Sequence, residues 1–233
     1  MKPMKPMNPP TTTAAQTTVD AAVLADRFVA ILPRLDPDGR RVAVTLYRLL
    51  AQAAPVSPQG LATASGVNED VVISLLDAWP GVFREEDNVI GFWGLTPRRV
   101  SNHRFQVDGR TFYTWCAWDA LFIPAILAKA AHVASRDPQT RAPVHLTVRL
   151  DRVERTEPAT LVISMLEPRK DMLADVMARL CHYIHFFASP ASGEVWMRRY
   201  PGTMLMAPDE AFELGRLKNE ARFGDALRIP PVR

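Results

Sequence analysis

The sequence predicts an α+β fold, in which an N-terminal helical unit that resembles a winged helix precedes a mixed strand and helix domain. Apolar residues recur at helical spacing through the first third of the chain. Strand-like alternation becomes common after Pro97, without the regular strand–helix repeat of a parallel α/β protein. The 233 residues are 48% hydrophobic and 23% charged, which is typical of a chain that buries a sizeable core.

The chain divides into three predicted parts. Residues 1–18 are rich in Pro and Thr and contain few large apolar side chains. Such a segment buries too little apolar surface to offset the entropy lost on ordering. We therefore predict a flexible tail over 1–18, a winged-helix-like domain over 19–97 and an α+β domain over 98–233 that carries both cysteines.

The N-terminal unit is predicted to contain three or four helices. Apolar spacing indicates helices over 23–32 and 42–50, with a turn at 36–39 between them. Ser57 followed by Pro58 predicts a helix start, because a capping hydroxyl precedes a proline in the first helical position.

A further helix and a hairpin complete the winged-helix order. Asn68 is predicted to cap a helix that ends near Trp79, and strands follow at 82–84 and 89–93. In a DNA-binding winged helix this last helix would enter the major groove, but here it has three acidic residues and no Lys or Arg. Because cations dominate affinity for phosphates, we expect no nucleic-acid partner.

Strands dominate the predicted C-terminal part. The alternation on either side of Asp108-Gly109 predicts a hairpin over 104–115. Further predicted elements are a short helix after Cys116, strands at 132–135, 144–150 and 161–165, a helix over 171–180, an apolar segment at 184–187 and a closing helix over 209–227.

Composition excludes several function classes. A net charge of +3 and a sequence pI of about 9.1 are too weak to indicate nucleic acid without a localised patch. No uncharged apolar run reaches the length of a membrane span, and no signal-peptide pattern opens the chain, so we expect a cytoplasmic protein without a membrane partner. Phosphate-binding loops, a hydrolase nucleophile elbow and zinc-ligand spacing are also missing from the sequence.

The two cysteines, Cys116 and Cys181, are the most informative residues. In a reducing cytoplasm they are not expected to form a structural disulfide. If a helix begins at Cys116, Asp119 lies on the same side, the helix dipole lowers the pKa of the thiol, and the carboxylate can accept its proton. The dipole and apolar neighbours such as Trp115 change the pKa of Asp119 in opposite directions, and the sequence leaves the balance open. A purely structural cysteine and helix-start carboxylate are the alternative.

Two segments resemble the active-site motifs of organomercurial lyases, also called alkylmercury lyases. The run WCAWDAL at 115–121, followed by Pro124-Ala125, is similar to the first motif, and CHYIHFFAS at 181–189 is similar to the second. Shorter matches occur in the same order at 142–148, 157–158 and 210–215. The resemblance implies a winged-helix-like N-terminal domain without a DNA-binding role.

The resemblance also implies a reaction, namely protonolysis of a carbon–mercury bond to a hydrocarbon and Hg(II). Mercury is soft and prefers two thiolates, so the implied ligands are Cys116 and Cys181. Asp119 would take a thiol proton, deliver it to carbon and then help to hold the metal. Trp115 would line the pocket for the organic group. The family implies no cofactor, since mercury is substrate and product, and it implies small-molecule thiols and a mercuric reductase as recipients of the metal.

The sequence differs from the family motifs at two points, and two other functions remain as alternatives. His182 stands where some family members carry an additional cysteine, and the chain has no cysteine between its two motifs. One alternative is a non-enzymatic protein that binds or senses mercury or copper through the same cysteines. The other is a winged-helix transcription regulator with a ligand-sensing C-terminal domain.

Overall fold

The computed structural model describes residues 20–230, so the predicted tail at 1–18 lies outside the described residues. The α+β prediction is confirmed, because helices and antiparallel sheets both form the core. None of the helices within 20–230 combines the length and apolar character that a bilayer crossing requires.

The described residues form eight α-helices and eleven strands. The helices are α1 Ala21–Ile31, α2 Pro37–Leu50, α3 Pro58–Ser65, α4 Glu69–Ala78, α5 Asp119–Leu127, α6 Val176–Arg179, α7 Pro190–Arg199 and α8 Pro208–Phe223. The strands are β1 Val82–Glu85, β2 Asn88–Phe92, β3 Leu95–Thr96, β4 Arg104–Val107, β5 Arg110–Thr114, β6 Ala131–Arg136, β7 Pro143–Val148, β8 Val153–Glu157, β9 Val162–Leu166, β10 Phe186–Phe187 and β11 Thr203–Met206.

Two antiparallel sheets organise these strands. The larger sheet has eight strands in the order β1-β2-β3-β5-β4-β6-β7-β8, and the smaller has the order β10-β9-β11. Helix α8 packs against α1 and α5, and α2 also contacts α5. The long helix α8 therefore lies beside α5, which begins at Asp119.

Side-chain caps set the helix starts in the N-terminal part. Ser57 accepts a hydrogen bond from the N–H of Gly60 at 3.0 Å, and Asn68 accepts one from Asp70 at 2.8 Å, as predicted. The turn predicted at 36–39 is wrong from Pro37 onward, because α2 begins at that residue. Asp36 accepts from the N–H of Gly39 at 2.7 Å, so this segment is the capped first turn of α2.

The hairpin of the predicted winged-helix unit is part of the large sheet. Strand β2 pairs with β3, which in turn pairs with β5 across the predicted boundary at residue 97. The order of four helices and a hairpin is the one predicted, whereas the winged-helix assignment and the division at residue 97 stay predictions.

Several C-terminal elements differ from the prediction. The helix predicted over 171–180 is a 3₁₀ turn, Lys170–Ala174, followed by α6, because Asp175 interrupts the first turn and caps the second through the N–H of Ala178 at 3.0 Å. The closing helix ends at Phe223, since Gly224 adopts φ +49° and a 3₁₀ turn follows. Strands β3, β8 and β11 and helix α7 were not predicted.

Candidate functional site

The first motif forms a tight connection between β5 and α5. The N–H of Trp115 donates to the carbonyl of Gly94 at 3.1 Å, which ties the connection to the β2–β3 turn. The N–H of Ala117 donates to the carbonyl of Ile184 at 3.2 Å. This second bond joins the two motifs directly and fixes the main chain on both sides of Cys116.

The second motif begins with a 3₁₀ turn, Cys181–Tyr183, that follows α6. The N–H of Ile184 closes this turn on the carbonyl of Cys181 at 3.1 Å. The Ser164 hydroxyl on β9 donates to the carbonyl of Tyr183 at 2.7 Å, so the small sheet holds the turn. Cys181 is thereby presented to the β5–α5 connection.

The structure brings Cys116, Asp119 and Cys181 together. Their sulfur and carboxylate oxygen atoms all lie within 4.8 Å of one another. All three residues are buried, with exposed fractions of 2%, 8% and 6% respectively. Among the described residues no second group of three His, Cys, Asp or Glu side chains gathers in this way.

The carboxylate of Asp119 folds back over the preceding turn. Asp119 is the first residue of α5, and its Oδ2 accepts a hydrogen bond from the N–H of Cys116 at 2.9 Å. The short helix predicted after Cys116 is α5, but it begins at Asp119 and not at Cys116 itself, since Trp118 is the N-cap. The predicted juxtaposition of Cys116 and Asp119 holds because of this side-chain bond.

Both thiols are held in their protonated form by their surroundings. Burial raises the pKa of Cys116 well above its ordinary value, and hydrogen bonding to Cys181 and the charge of Asp119 raise it further. The hydrogen bond from Cys116 lowers the pKa of Cys181, but burial and the Asp119 charge outweigh it, so the net direction is upward. From the sequence we expect a lowered pKa if a helix begins at Cys116. The helix begins three residues later, and the pKa of Cys116 is raised.

The sequence left open whether the pKa of Asp119 is raised or lowered, and in the structure it is raised. Burial raises the pKa of Asp119 to about 6, against the opposing effects of hydrogen bonds from Cys116 and the charge of Lys218. A carboxyl group with a pKa near neutrality can both accept and donate a proton under physiological conditions.

An apolar cavity of about 90 Å³ adjoins the three residues. Its aromatic wall includes Phe28, Tyr47, Trp93, Trp115, Trp118 and Phe122. The predicted pocket residue Trp115 is among them, and its indole stacks on Phe83 with ring centroids 4.9 Å apart. Helices α1 and α2 supply part of this wall, so the N-terminal third of the chain also shapes the site.

Cys181 also borders a second, more polar cavity of about 440 Å³. His103, Arg136, Asp175, His182 and His185 line it. Cys181 therefore lines both the apolar cavity and this polar groove.

Sequence reasoning missed Lys218 and Arg222, two buried cations that α8 contributes to the apolar cavity. A signal for them exists in the helix pattern. Both follow Ala211 and Leu214 at spacings of three or four residues, so they continue the apolar stripe of α8 and lie on its buried face.

Comparisons with known proteins identify the family. The family model described as "MerB: Alkylmercury lyase" matches residues 98–218. An alkylmercury lyase of Pseudomonas putida is 42% identical over 175 residues, which are 75% of this chain and 81% of that protein. One from Streptomyces lividans is 40% identical over 176 residues, or 76% of this chain and 80% of that protein.

A solved structure has the same fold. The mercury-bound form of MerB2 superposes with a TM-score of 0.69 at 21% identity, covering 89% of this chain and 98% of that one. At 21% identity the superposition shows that the two proteins share a fold. The relatives from Pseudomonas putida and Streptomyces lividans, at 42% and 40% identity, show the family. The chain therefore belongs to the alkylmercury lyase family and is an enzyme whose substrate is an organomercurial.

Proposed function

We propose that Cys116, Asp119 and Cys181 protonolyse the carbon–mercury bond of the substrate. The observation that carries this assignment is the approach of two sulfurs and one carboxylate oxygen to within 4.8 Å in a buried cavity. Two sulfur donors suit a soft, two-coordinate metal, and the adjacent carboxyl group supplies the acid that the departing carbon needs.

The proposed reaction conserves protons and charge. An R–Hg⁺ cation binds the sulfur of one cysteine, whose proton leaves to solvent or with the displaced anion. The second sulfur then binds as its proton passes to Asp119. The carbon keeps the electron pair of the broken carbon–mercury bond and takes the proton from Asp119, which releases a hydrocarbon and leaves Hg(II) on two thiolates. Asp119, again ionised, then helps to hold the metal.

Burial of the thiols fits this order of events. Their raised pKa keeps both protons in place until mercury arrives, and Asp119 is the group positioned to move one of them. In the proposal, Trp115 packs against the organic group, for which an aromatic face is suited.

We further propose that the reaction takes place in the cytoplasm and needs no organic cofactor. Small-molecule thiols would remove Hg(II) and pass it to a mercuric reductase. The polar groove beside Cys181 supports this, because an external thiol could approach the metal there without entering the apolar cavity.

The division into domains at 19–97 and 98–233 is likewise a proposal, with no nucleic-acid role for the first. The acidic first turn of α4, with Glu69 and Asp70, supports the absence of DNA binding. Salt-dependent, sequence-specific binding to DNA would contradict it and would favour the regulator alternative.

Hydrocarbon release tests the proposed reaction. The protein is incubated with methylmercury or phenylmercury and excess thiol, and methane or benzene is measured by gas chromatography. Stoichiometric hydrocarbon is expected from the wild-type chain and none from the double variant C116S/C181S. Mercury bound by the wild-type chain without hydrocarbon would instead support the binding-protein alternative.

A further inference from the structure

Lys218 is a buried lysine whose ammonium group lies over aromatic rings. The residue is 5% exposed, and its Nζ lies 3.2 Å from the ring centroid of Phe122 and 5.2 Å from that of Trp118. Both rings and Lys218 line the apolar cavity that adjoins the thiols. No carboxylate of the described residues lies within ion-pair distance of Lys218, so its ammonium group is in contact with the faces of aromatic rings, and Asp119 acts on it only at longer range.

Arg222 places a second cation on the same cavity, one helical turn further along α8. Its Nη1 donates to the carbonyl of Pro33 at 2.9 Å, and its guanidinium carbon lies 4.3 Å from the centroid of Trp93. The other terminal nitrogen, Nη2, is buried and without a hydrogen-bond partner among residues 20–230. Two buried basic side chains thus face the apolar cavity.

Basic side chains outnumber carboxylates around the apolar cavity. Burial lowers the pKa of Lys218 well below its ordinary value and the neighbouring Arg222 lowers it further, while the charges of Asp119 and Cys116 act in the opposite direction. Burial also lowers the pKa of Arg222 to about 10. Among the described residues that line the cavity, Asp119 is the one carboxylate, and it is already bonded to the N–H of Cys116 and needed for proton transfer. A buried ammonium or guanidinium group without a carboxylate partner is disfavoured, and an anionic ligand in the cavity would offset that cost.

We propose that Lys218, assisted by Arg222, recognises an anionic group on the organic part of the substrate. The preferred substrate class is then an arylmercurial that carries a carboxylate on its ring. In this arrangement the ring packs against the aromatic side chains, the Lys218 ammonium group donates hydrogen bonds to the carboxylate, and mercury binds the sulfurs. This inference rests on the proposed function, because it requires the organic group to occupy this cavity during carbon–mercury cleavage.

A matched pair of substrates isolates the charge. 4-Carboxyphenylmercury and 4-methylphenylmercury have similar shapes and differ in the charge of the para substituent. The ratio of their kcat/KM values is measured for the wild-type chain, for Lys218→Met and for Lys218→Arg. The substituents also differ electronically, but this difference is the same for each variant and cancels when the ratios are compared.

The Lys218→Met variant is expected to lower the carboxylate-to-methyl ratio by at least about 10-fold, because it removes one charged hydrogen-bond donor. The Lys218→Arg variant keeps the cation and should retain most of the preference. Equal losses on both substrates would overturn the inference, since a lysine that acts only on the thiols or on folding affects every organomercurial alike. A ratio unchanged in Lys218→Met would overturn it as well.

A ligand without mercury separates this inference from the proposed function. 4-Iodobenzoate and iodobenzene are compared as inhibitors of phenylmercury turnover and as ligands detected by quenching of tryptophan fluorescence. The wild-type chain should bind the benzoate more tightly, and Lys218→Met should lose that difference. If neither arylmercurial yields hydrocarbon, the proposed function fails. If both do, and 4-iodobenzoate binds no better than iodobenzene, only the anion preference fails.

Discussion

Gly94 lies directly against the carboxylate of Asp119. A Cβ atom at position 94 would be 2.5 Å from the Cγ of Asp119, and the φ of +101° at Gly94 disfavours any side chain. The same glycine accepts the N–H of Trp115 through its carbonyl at 3.1 Å. The turn between β2 and β3 therefore forms the floor of the site, and it leaves space for the carboxylate only because residue 94 has no side chain.

Replacing Gly94 by Ala should displace Asp119 and sharply reduce turnover. Gly109 provides a matched control, since it has a φ of +75° but a Cβ atom there would meet nothing within 4 Å. Gly109→Ala should cost about 1–2 kcal/mol in the free energy of unfolding from backbone strain alone and keep its activity. Hydrocarbon release and urea unfolding are measured for both variants. Equal activity in the two would show that the contact with Asp119 is unimportant.

Serine at position 116 or 181 should abolish turnover without unfolding the chain. The hydroxyl is close in size to the thiol but is a hard, weak ligand for mercury. Turnover of phenylmercury and thermal unfolding are measured for each single variant. Residual activity near that of the wild-type chain in either variant would remove that cysteine from the proposed mechanism.

The Asp119→Asn variant should bind mercury but release hydrocarbon at least about 100-fold more slowly, because general acid–base catalysis is typically worth that much or more. The amide can still accept the N–H of Cys116, so the local fold should survive. Single-turnover benzene release is compared with retention of mercury after gel filtration. Rapid benzene release would assign proton transfer to another group.

Asp137 is expected to make stability depend on pH. Burial raises the pKa of Asp137, but hydrogen bonds from Ser192, Ala188, Thr140 and Gln139 outweigh it, and the net pKa is lowered. A depressed folded-state pKa stabilises the fold above the unfolded value of about 4, and this contribution is lost as pH falls through the folded-state pKa.

The Asp137→Asn variant should therefore lose about 1–3 kcal/mol of unfolding free energy at pH 7, and the deficit should shrink below about pH 4. Exposed Asp26 supplies the control, because Asp26→Asn removes a carboxylate that is not buried. Urea unfolding is followed from pH 3 to pH 7. A deficit that stays constant over this range would mean that the carboxylate charge of Asp137 does not contribute.

The grouping of Cys116, Asp119 and Cys181 could be predicted because short motifs carry these residues. Both cysteines lie in distinctive runs, and Asp119 follows Cys116 at a spacing that local structure alone brings together. The caps of α3 and α4 were predictable for the same reason, since Ser57 and Asn68 act on residues two or three positions away.

The remaining features depend on contacts that are distant in sequence. Lys218 meets Phe122 only after α8 has packed on α5, and Gly94 meets Asp119 only across the sheet. The pKa of Cys116 could not be predicted either, because it depends on how deeply tertiary packing buries the thiol. The missed strand β3 has two residues and is defined by its partners β2 and β5.

The large sheet continues through residue 97, so the part of the chain that follows this residue does not form the site by itself. Residues 98–218 contain both thiols and the acid, yet a polypeptide restricted to them would lack Phe28, Tyr47 and Trp93 from the chamber wall. Water would then reach Asp119, its proton affinity would return towards that of an ordinary aspartate, and the thiols would lose their shelter from oxidants. The amino-terminal helices thus keep water away from Asp119 and the two thiols.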